Sequence, residues 1–190
     1  MRILTTFTAV GWDQFRDTIV RLGEDAAPIM ADLLDDGVIK LREKTVAAEA
    51  KQTNLPRDTV TRAQVLEEAV RGRLSASIRV HGGNVRVKCF SPHEGGGGVT
   101  AQPWGRSTFY PGGFMTSGRP GARRLSPKLN GQAFIAKDPG GSRRWGRKIA
   151  GLRTGLFLPD ELLKGATVQA FDTGAPKILD GILTKLAAMI

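Results

Sequence analysis

Groups that bind metals or form disulfides are scarce in this chain of 190 residues, which contains one cysteine and two histidines. Because Cys89 has no second cysteine to pair with, an internal disulfide and a cysteine-rich zinc site are both excluded. His81 and His93 have no further histidine or carboxylate at the spacing of metal ligands. We therefore expect no metal, no cofactor and no catalytic residues.

Long apolar runs are also missing. No stretch approaches the roughly 20 apolar residues that a membrane helix needs, so we expect no membrane partner. Residues 1–7 form only a broken apolar stretch without a small-residue cleavage pattern, and we expect no signal peptide. These absences predict a protein that is made and used in a reducing cytosol.

Motifs that could carry chemistry have simpler explanations. The four glycines at 95–98 lack the Gly-Lys-Ser/Thr ending of a phosphate-binding loop, so we interpret them as a flexible spacer. Two acidic pairs in helical pattern are interpreted as solvated faces: Asp35 with Asp36, and Glu67 with Glu68. An enzyme of unknown type that uses His81, His93 and Glu94 is kept as an alternative hypothesis.

Positive charge is abundant and unevenly distributed. The chain has a formal net charge of +10, from 28 Lys and Arg against 18 Asp and Glu. Residues 1–50 hold 6 basic and 9 acidic residues (net −3), residues 51–158 hold 19 and 5 (net +14), and residues 159–190 hold 3 and 4 (net −1). This asymmetry suggests a polyanion near the central segment, with nucleic acid as the leading candidate. Charge used for solubility, or for docking on an acidic protein, is the alternative.

Residues 73–89 show the clearest strand pattern in the chain. Apolar residues alternate with polar and basic ones on both sides of a break at residues 81–84, whose His-Gly-Gly-Asn sequence tolerates a tight reversal. The apolar residues are Leu74, Ala76, Ile78 and Val80 before the break, and Val85, Val87 and Cys89 after it. The pattern predicts a β-hairpin with one apolar face under a helix and one basic face. The basic face would carry Arg73, Arg79, Arg86 and Lys88.

Both ends of the chain show helical spacing of apolar residues. Before the hairpin, the pattern predicts a short edge strand, two helices, one helical turn and a helical or irregular piece, at residues 3–10, 12–22, 25–50, 57–61 and 63–70. After residue 158, it predicts a helical region from Pro159 that breaks at Thr173 or Gly174, followed by an amphipathic last helix.

Residues 91–131 differ in composition, with ten glycines and five prolines. This composition cannot sustain a helix and only weakly supports a strand, so it predicts a long loop that a neighbouring structure orders. Residues 132–137 and 143–150 predict a second basic hairpin around a turn at 138–141, and residues 152–158 extend the sheet.

Together these patterns predict one α+β domain over residues 1–190. It has two N-terminal helices, a mainly antiparallel sheet of four or five strands, a long inserted Gly-rich loop at 91–131, and C-terminal helices packed on the sheet.

Eleven cations are candidates for contact with nucleic acid or for lining a channel: Arg73, Arg79, Arg86, Lys88, Arg119, Arg123, Arg124, Lys128, Arg143, Arg144 and Arg147. Contact with phosphates would make binding salt-dependent and insensitive to base sequence. For the cations of the first hairpin, pairing with the acidic N-terminal helices of an adjacent subunit is an equal alternative. Those in the loop are better candidates for DNA contact, because a Gly-rich arm can approach a backbone from several directions.

Four short segments of the sequence resemble the patterns of a known protein family. They are residues 52–60 (Gln-Thr-Asn-Leu-Pro-Arg-Asp-Thr-Val), residues 76–80 (Ala-Ser-Ile-Arg-Val), residues 131–135 (Gly-Gln-Ala-Phe-Ile), and the basic hairpin with residues 152–158. These strings, in this order, resemble the minor tail protein Z, or tail completion, family of tailed bacteriophages. The similar family patterns are Thr-x-Val-x-Arg-x-x-Val, Ala-Arg-Ile-x-Val, Gly-Ala-Phe-Ile and Arg-x-x-Gly-x-x-x-x-Pro-Ile-x-x-Val. Here Gln132 relaxes the third pattern, and Gly155-Leu156 replaces Pro-Ile in the fourth.

The resemblance implies a structural virion protein of the phage neck or upper tail, assembled in the host cytoplasm. It would form a ring of its own copies, with six as the expected number, that completes the tail and joins it to the head around the DNA channel. The implied partners are a tail terminator or tail tube protein, a head completion or connector protein, and genomic DNA bound nonspecifically. A free, nonspecific nucleic-acid-binding module is the alternative function.

Overall fold

The computed structural model describes residues 17, 19–21, 23–70, 72–117, 124–125, 131–137 and 149–188. Several predicted features lie outside these residues: the strand at 3–10, most of the helix at 12–22, the turn at 138–141 and the first part of the strand at 143–150. Residues 17 and 19–21 are helical, followed by a 3₁₀ turn at Gly23–Asp25. The α+β class is confirmed, since the described chain combines α-helices with antiparallel sheets.

Among the residues that the structure describes, four α-helices follow this turn: α1 (Ala26–Thr53), α2 (Arg57–Ala63), α3 (Leu158–Leu162) and α4 (Gly165–Ala187). The predicted long helix and the predicted helical turn are confirmed by α1 and α2. Asn54 takes a left-handed conformation after α1, with φ of 60°, and Leu55 precedes a proline that disfavours further helix. Helix α1 therefore ends directly before the Leu55-Pro56 pair, as the sequence predicts.

The predicted break at Thr173 or Gly174 is wrong, because α4 runs without interruption for 23 residues and includes Pro176. Helices α1 and α4 pack antiparallel, and Gly174 provides the reason for the continuity. A Cβ on Gly174 would lie 2.5 Å from Leu41 Cδ1, so the missing side chain is the space that Leu41 fills. Packing against α1 outweighs the weak helix propensity of glycine and proline.

In the described part of the chain, twelve strands, all in antiparallel ladders, form five small sheets. The strands are β1 (Gln64–Glu67), β2 (Ser77–Val80), β3 (Asn84–Arg86), β4 (His93–Gly95), β5 (Gly98–Ala101), β6 (Thr108–Pro111), β7 (Gly113–Phe114), β8 (Thr116–Ser117), β9 (Arg124–Leu125), β10 (Phe134–Ala136), β11 (Ile149–Gly151) and β12 (Arg153–Phe157). Their orders are β1-β2, β12-β3, β4-β5-β6, β11-β10-β7 and β8-β9. The prediction of one four-stranded or five-stranded sheet is therefore wrong.

The predicted hairpin at 73–89 is also wrong, although both of its strands contain real strand segments. Strand β2 pairs with β1, and β3 pairs with β12, so the two segments belong to different sheets. The amide of His81 donates to the carbonyl of Ala63 at 2.8 Å, which continues the β1–β2 ladder where a reversal was expected. Strand β1 replaces part of the helical or irregular piece predicted at 63–70. Residues Val87–Phe90 form a 3₁₀ turn, so the alternation there does not mark a strand.

The prediction of a long loop is wrong for residues 93–117, which form β4 to β8. Gly96 and Gly97 have φ of 59° and 81° and make the tight turn between β4 and β5. A Cβ on Gly98 would lie 2.5 Å from the Tyr110 carbonyl oxygen and 2.6 Å from the Phe109 ring. The glycines at 95–98 are thus a turn and a close strand contact, and the flexible-spacer interpretation is wrong.

The second predicted hairpin is confirmed in its described part, because β10 pairs with β11. The predicted strand at 152–158 is confirmed as β12, but it pairs with β3. Val87, Val99 and Leu156 are fully buried in the larger hydrophobic cluster, among the strands and the C-terminal end of α1. A smaller cluster joins α1, α4 and β2 around Val38, Leu41 and Ile78. The terminal helix thus packs on α1 as well as on a sheet. Among the described residues, no helix is long and apolar enough to cross a membrane.

Candidate functional site

The structure places the side chains of four of the eleven candidate cations. Those outside the described residues are Arg119, Arg123, Lys128, Arg143, Arg144 and Arg147. Arg124 lies in β9, opposite Ser117. The four with described side chains are Arg73, Arg79, Arg86 and Lys88. They do not share one sheet, so the single basic sheet face that the predicted hairpin implied is wrong.

Arg79 lies on β2, and Arg73 lies in the connection between β1 and β2, where it forms an isolated bridge with Val70. Arg79 Nη2 lies 3.0 Å from Glu67 Oε1 in an ion pair, and its side chain is 62% exposed. The Ser77 hydroxyl donates to the other oxygen of the same carboxylate at 2.9 Å. Arg73 donates from Nη2 to the carbonyl of Glu68 at 3.2 Å. The charge of Arg79 is therefore already balanced within the chain, which lowers its value for binding an external anion.

Arg86 lies on β3, directly opposite Arg153 on β12. Both side chains are exposed, and each is oriented by a neutral acceptor. Arg86 Nη1 donates to Gln132 Oε1 at 3.0 Å, and Arg153 Nη1 donates to the Asn84 carbonyl at 2.7 Å. Two guanidinium groups with neutral acceptors on one ribbon form the best described site for a phosphate backbone. We call Arg86 and Arg153 the arginine pair.

Sequence reasoning missed Arg153, although the signal was present. Within residues 152–158, Leu152, Leu156 and Leu158 are buried and Arg153 is exposed, as alternation predicts for most of that strand. What the sequence could not supply was the partner strand. Lys88, which was expected on the same face as Arg86, lies half-buried in the 3₁₀ turn after β3.

A buried polar network joins α1 to β1. Glu49 and Gln64 are both buried, and Gln64 Nε2 donates to Glu49 Oε2 at 2.7 Å. The Thr45 hydroxyl lies 3.2 Å from Gln64 Oε1. Glu49 Oε1 is also buried and has no hydrogen-bond partner among the described residues. Arg42 closes the junction by donating from Nη2 to the carbonyls of Thr61 and Gln64, at 2.6 and 2.7 Å.

The network has a counterpart one turn further along α1. Gln52 Nε2 donates to Glu161 Oε2 at 3.0 Å, and Gln52 Oε1 lies 3.3 Å from both the amide and the hydroxyl of Thr167. Gln52 therefore ties α1 to both C-terminal helices. Gly165 leaves the space that the Gln52 amide occupies, since its Cβ would lie 2.8 Å from Gln52 Oε1.

Burial raises the pKa of Glu49 from 4.5 to about 7, against the opposing effect of the Gln64 hydrogen bond and with a smaller contribution from the charge of Glu161. Such pKa shifts are frequent in active sites, but they also occur in structural networks. Here the hydrogen-bond partner of the carboxyl group is an amide, which neither attacks nor transfers protons. The network positions helices and holds a proton near neutral pH. Its sequence signal is the helical spacing of Glu49 with Leu41, Thr45 and Thr53, which are all buried.

The residues considered for catalysis are not brought together. His81 follows β2 and His93 lies on β4, and both are exposed. Glu94 Oε2 accepts the Met115 amide at 2.7 Å, which supports the loop between short strands. Within the described part of the chain, no group of three or more His, Cys, Asp or Glu residues could hold a metal ion. The absence of a cofactor and of enzymatic activity stays a prediction.

No family model, curated protein or solved structure matches the chain. None of these comparisons therefore indicates the tail completion family. The resemblance to that family rests on the short strings of the sequence.

Proposed function

We propose that this chain is a structural, non-enzymatic subunit of a tailed bacteriophage virion, located in the neck or upper tail. Its copies form a ring, with six as the expected number, that completes the tail and joins it to the head around the DNA channel. The sequence resemblance supplies the family. The observation that carries the proposal is the exposure of large apolar side chains on several separate elements of a strongly basic chain.

These apolar side chains lie on β strands and at helix junctions. Val65 on β1 is 45% exposed, Phe109 on β6 is 49% exposed, and Leu163 between α3 and α4 is 57% exposed. Ile149 and Phe157, on β11 and β12, are also exposed. Single exposed apolar residues are ordinary, but short open strands that carry them are ready partners for another chain.

A ring subunit needs two different contact surfaces, because each copy meets its neighbours head to tail. A component between head and tail also contacts a structure above it and one below it. Apolar positions spread over β1, β6, β12 and the α3–α4 junction suit a chain with several neighbours. A tail terminator or tail tube protein and a head completion or connector protein would supply the outer contacts.

The central charge suits the DNA channel. A ring around a duplex needs positive charge that contacts phosphates without reading bases. The net charge of +14 over residues 51–158 provides it. In the described chain the arginine pair is the best-formed element of this surface, since Arg86 and Arg153 have neutral hydrogen-bond acceptors.

The alternative is a free, nonspecific nucleic-acid-binding module, which the exposed arginine pair also favours. Sedimentation and fluorescence anisotropy with a short DNA duplex distinguish the two functions. A ring component forms a closed oligomer, visible by electron microscopy, and binds DNA weakly as a monomer. A module binds as a monomer with a steep dependence on salt. Tight binding by a monomer that never forms a ring would overturn the ring proposal.

Charge reversal tests the role of the cations. In the assembled protein, Arg86→Glu with Arg153→Glu should reduce DNA binding, whereas Arg57→Glu, an exposed position on α2, should change it little. Reversing Arg119, Arg123 and Arg124 together should impair particle completion or genome retention and leave the monomer folded. Unchanged infectivity of that triple variant would contradict a role for these three arginines.

A further inference from the structure

A groove runs along the seam between α1 and α4. Its floor is apolar and contains glycines: Leu33, Gly37, Leu41, Gly174, Ile178 and Ile182. The two helices are antiparallel, so the lining residues from Leu33 to Lys44 on α1 face those from Gly174 to Lys185 on α4. The volume of this partly open groove is about 190 Å³. At 1.5 Å per residue the α1 wall is roughly 16 Å long, which is about three helical turns.

Both walls of the groove carry lysines. Lys40 and Lys44 stand one turn apart on α1, and Lys177 and Lys185 stand two turns apart on α4. All four are exposed. Asp36 is the one acidic residue among the described residues that line the groove. The walls therefore carry a net charge of +3, although residues 1–50 and 159–190 are both net negative.

Gly181 is an open position on the groove, in the second half of α4. Apart from its chain neighbours and the backbone of its own helix, no described atom lies within 4 Å of the position that its Cβ would take. Gly37 behaves differently, because a Cβ there would overlap the Ile178 side chain. One glycine thus permits the helices to pack closely, whereas the other leaves space that no side chain of the described chain fills.

We propose that this groove binds an acidic amphipathic helix of a partner protein. Apolar side chains of the helix would rest on the glycine floor, and its carboxylates would meet lysines on both walls. The charge of the walls and the groove length of about three helical turns define this occupant. A nucleic acid backbone fits less well, since its phosphates would lie over an apolar floor. The site does not depend on the ring proposal, because a chain that forms no ring would still contain it.

The test uses the full chain and a defined probe. The probe is a fluorescein-labelled, acetylated and amidated peptide of about 12 residues, with Leu at helical spacing and Glu at the flanking positions. A control peptide has the same composition with the Leu spacing scrambled. Anisotropy should show saturable binding of the first peptide, weakened by salt, and at least about tenfold weaker binding of the second.

Two variants and one matched control locate the binding. Gly181→Leu fills the groove at a position where a side chain meets open space, and should weaken peptide binding at least about tenfold. Lys40→Gln with Lys177→Gln removes one charge from each wall and should have a similar effect at low salt. Lys51→Gln, exposed on α1 beyond the groove, should leave the affinity within about twofold. Circular dichroism establishes that each variant is folded.

Three results would overturn the proposal. The first is no saturable binding of the acidic peptide to the wild-type chain. The second is equal binding of the scrambled peptide, or wild-type affinity in folded Gly181→Leu. The third is a DNA duplex of equal length that binds through the same lysines and is unaffected by Gly181→Leu, which would identify a polyanion site. Should Gly181→Leu fail to fold, the double lysine variant shows whether the peptide binds at the groove walls, and the scrambled peptide, which has the same charge, distinguishes a helix site from a polyanion site.

Discussion

The helix pair and the strand ribbons of this protein are held together in different ways. Helices α1 and α4 meet along one continuous interface, where Leu41 fills the space at Gly174 and Ile178 fills the space at Gly37. The ribbons depend on distant partners, as in the bond from the Thr154 hydroxyl to the Val85 carbonyl, 69 residues away. A helix carries its face and its spacing in local sequence, whereas a strand carries a face but not the identity of its partner.

We expect the largest loss of stability when a side chain at the centre of the α1–α4 interface is shortened. Leu41 is fully buried between α1 and α4. Leu41→Ala removes its contacts and leaves a cavity beside Gly174, so the free energy of unfolding should fall by about 3 kcal/mol. Leu163→Ala, at an exposed position, should change it by less than about 0.5 kcal/mol. Urea denaturation measures both, and equal effects would contradict the assigned core.

Glu49 makes the helix pair sensitive to pH. The pKa of its carboxyl group is about 7 in the folded protein and 4.5 in the unfolded chain, because burial disfavours the charge. Between these values the folded state holds more protons, so the free energy of unfolding should fall as the pH rises from about 4.5 to 7. Below pH 4.5 both states are protonated, and the stability is at its full value.

Glu49→Gln tests this pH dependence with a neutral side chain of the same shape. It should flatten the fall and raise the free energy of unfolding at pH 8 by about 2 kcal/mol relative to the wild type. Glu43→Gln, exposed on the same helix, is the control and should keep the wild-type profile. Denaturation midpoints across pH 5 to 8 provide the measurement. A wild-type profile in Glu49→Gln would mean that another group causes the fall.

Replacing glycine by alanine should change the free energy of unfolding in opposite directions in the two regions. Gly98→Ala on β5 places a methyl group against the Tyr110 carbonyl and the Phe109 ring, and should lower the free energy of unfolding by about 2 kcal/mol. Gly181→Ala on α4 meets open space, and should raise it by about 0.5 to 1 kcal/mol through helix propensity. Thermal denaturation of both variants compares them directly. A stable Gly98→Ala protein would argue against the β5–β6 register.

A substitution on the exposed surface of the β1–β2 pair should change the free energy of unfolding least. Arg79→Gln breaks the ion pair with Glu67, but the Arg79 side chain is 62% exposed. Solvent screens such pairs, so the loss should be less than about 0.5 kcal/mol and should shrink at high salt. Measurement at low and high salt checks it, and a large loss that salt does not reduce would point to packing.

The helices of this fold could be predicted from local sequence, whereas the pairing of its strands could not. Residues 25–50 and 57–61 were correctly predicted as helices, because spacing and the Leu55-Pro56 stop are local. The hairpin at 73–89 failed since β2 and β3 find partners before and far after them in the chain. Within the predicted loop at 91–131, the strands at 93–117 were missed because glycines that form turns and close contacts have the same composition as a flexible linker.

The candidate sites show the same limit. Alternation could identify the exposed position of Arg153, but only the β3–β12 ladder reveals that it lies opposite Arg86. The spacing of Glu49 placed it on the buried face of α1, yet its partner Gln64 comes from β1. The groove between α1 and α4 could not be predicted, because the sequence does not show that the two helices pair with Leu41 at Gly174 and Ile178 at Gly37.

The raised pKa of Glu49 has a calorimetric consequence. Near pH 6, midway between the two pKa values, the folded protein carries a proton on Glu49 that the unfolded chain releases to the buffer. The heat absorbed on melting therefore includes the protonation heat of whichever buffer accepts that proton. Calorimetric scans in phosphate and in imidazole should give different apparent enthalpies for the same transition. The difference, divided by the difference between the protonation enthalpies of the two buffers, gives the number of protons released on unfolding.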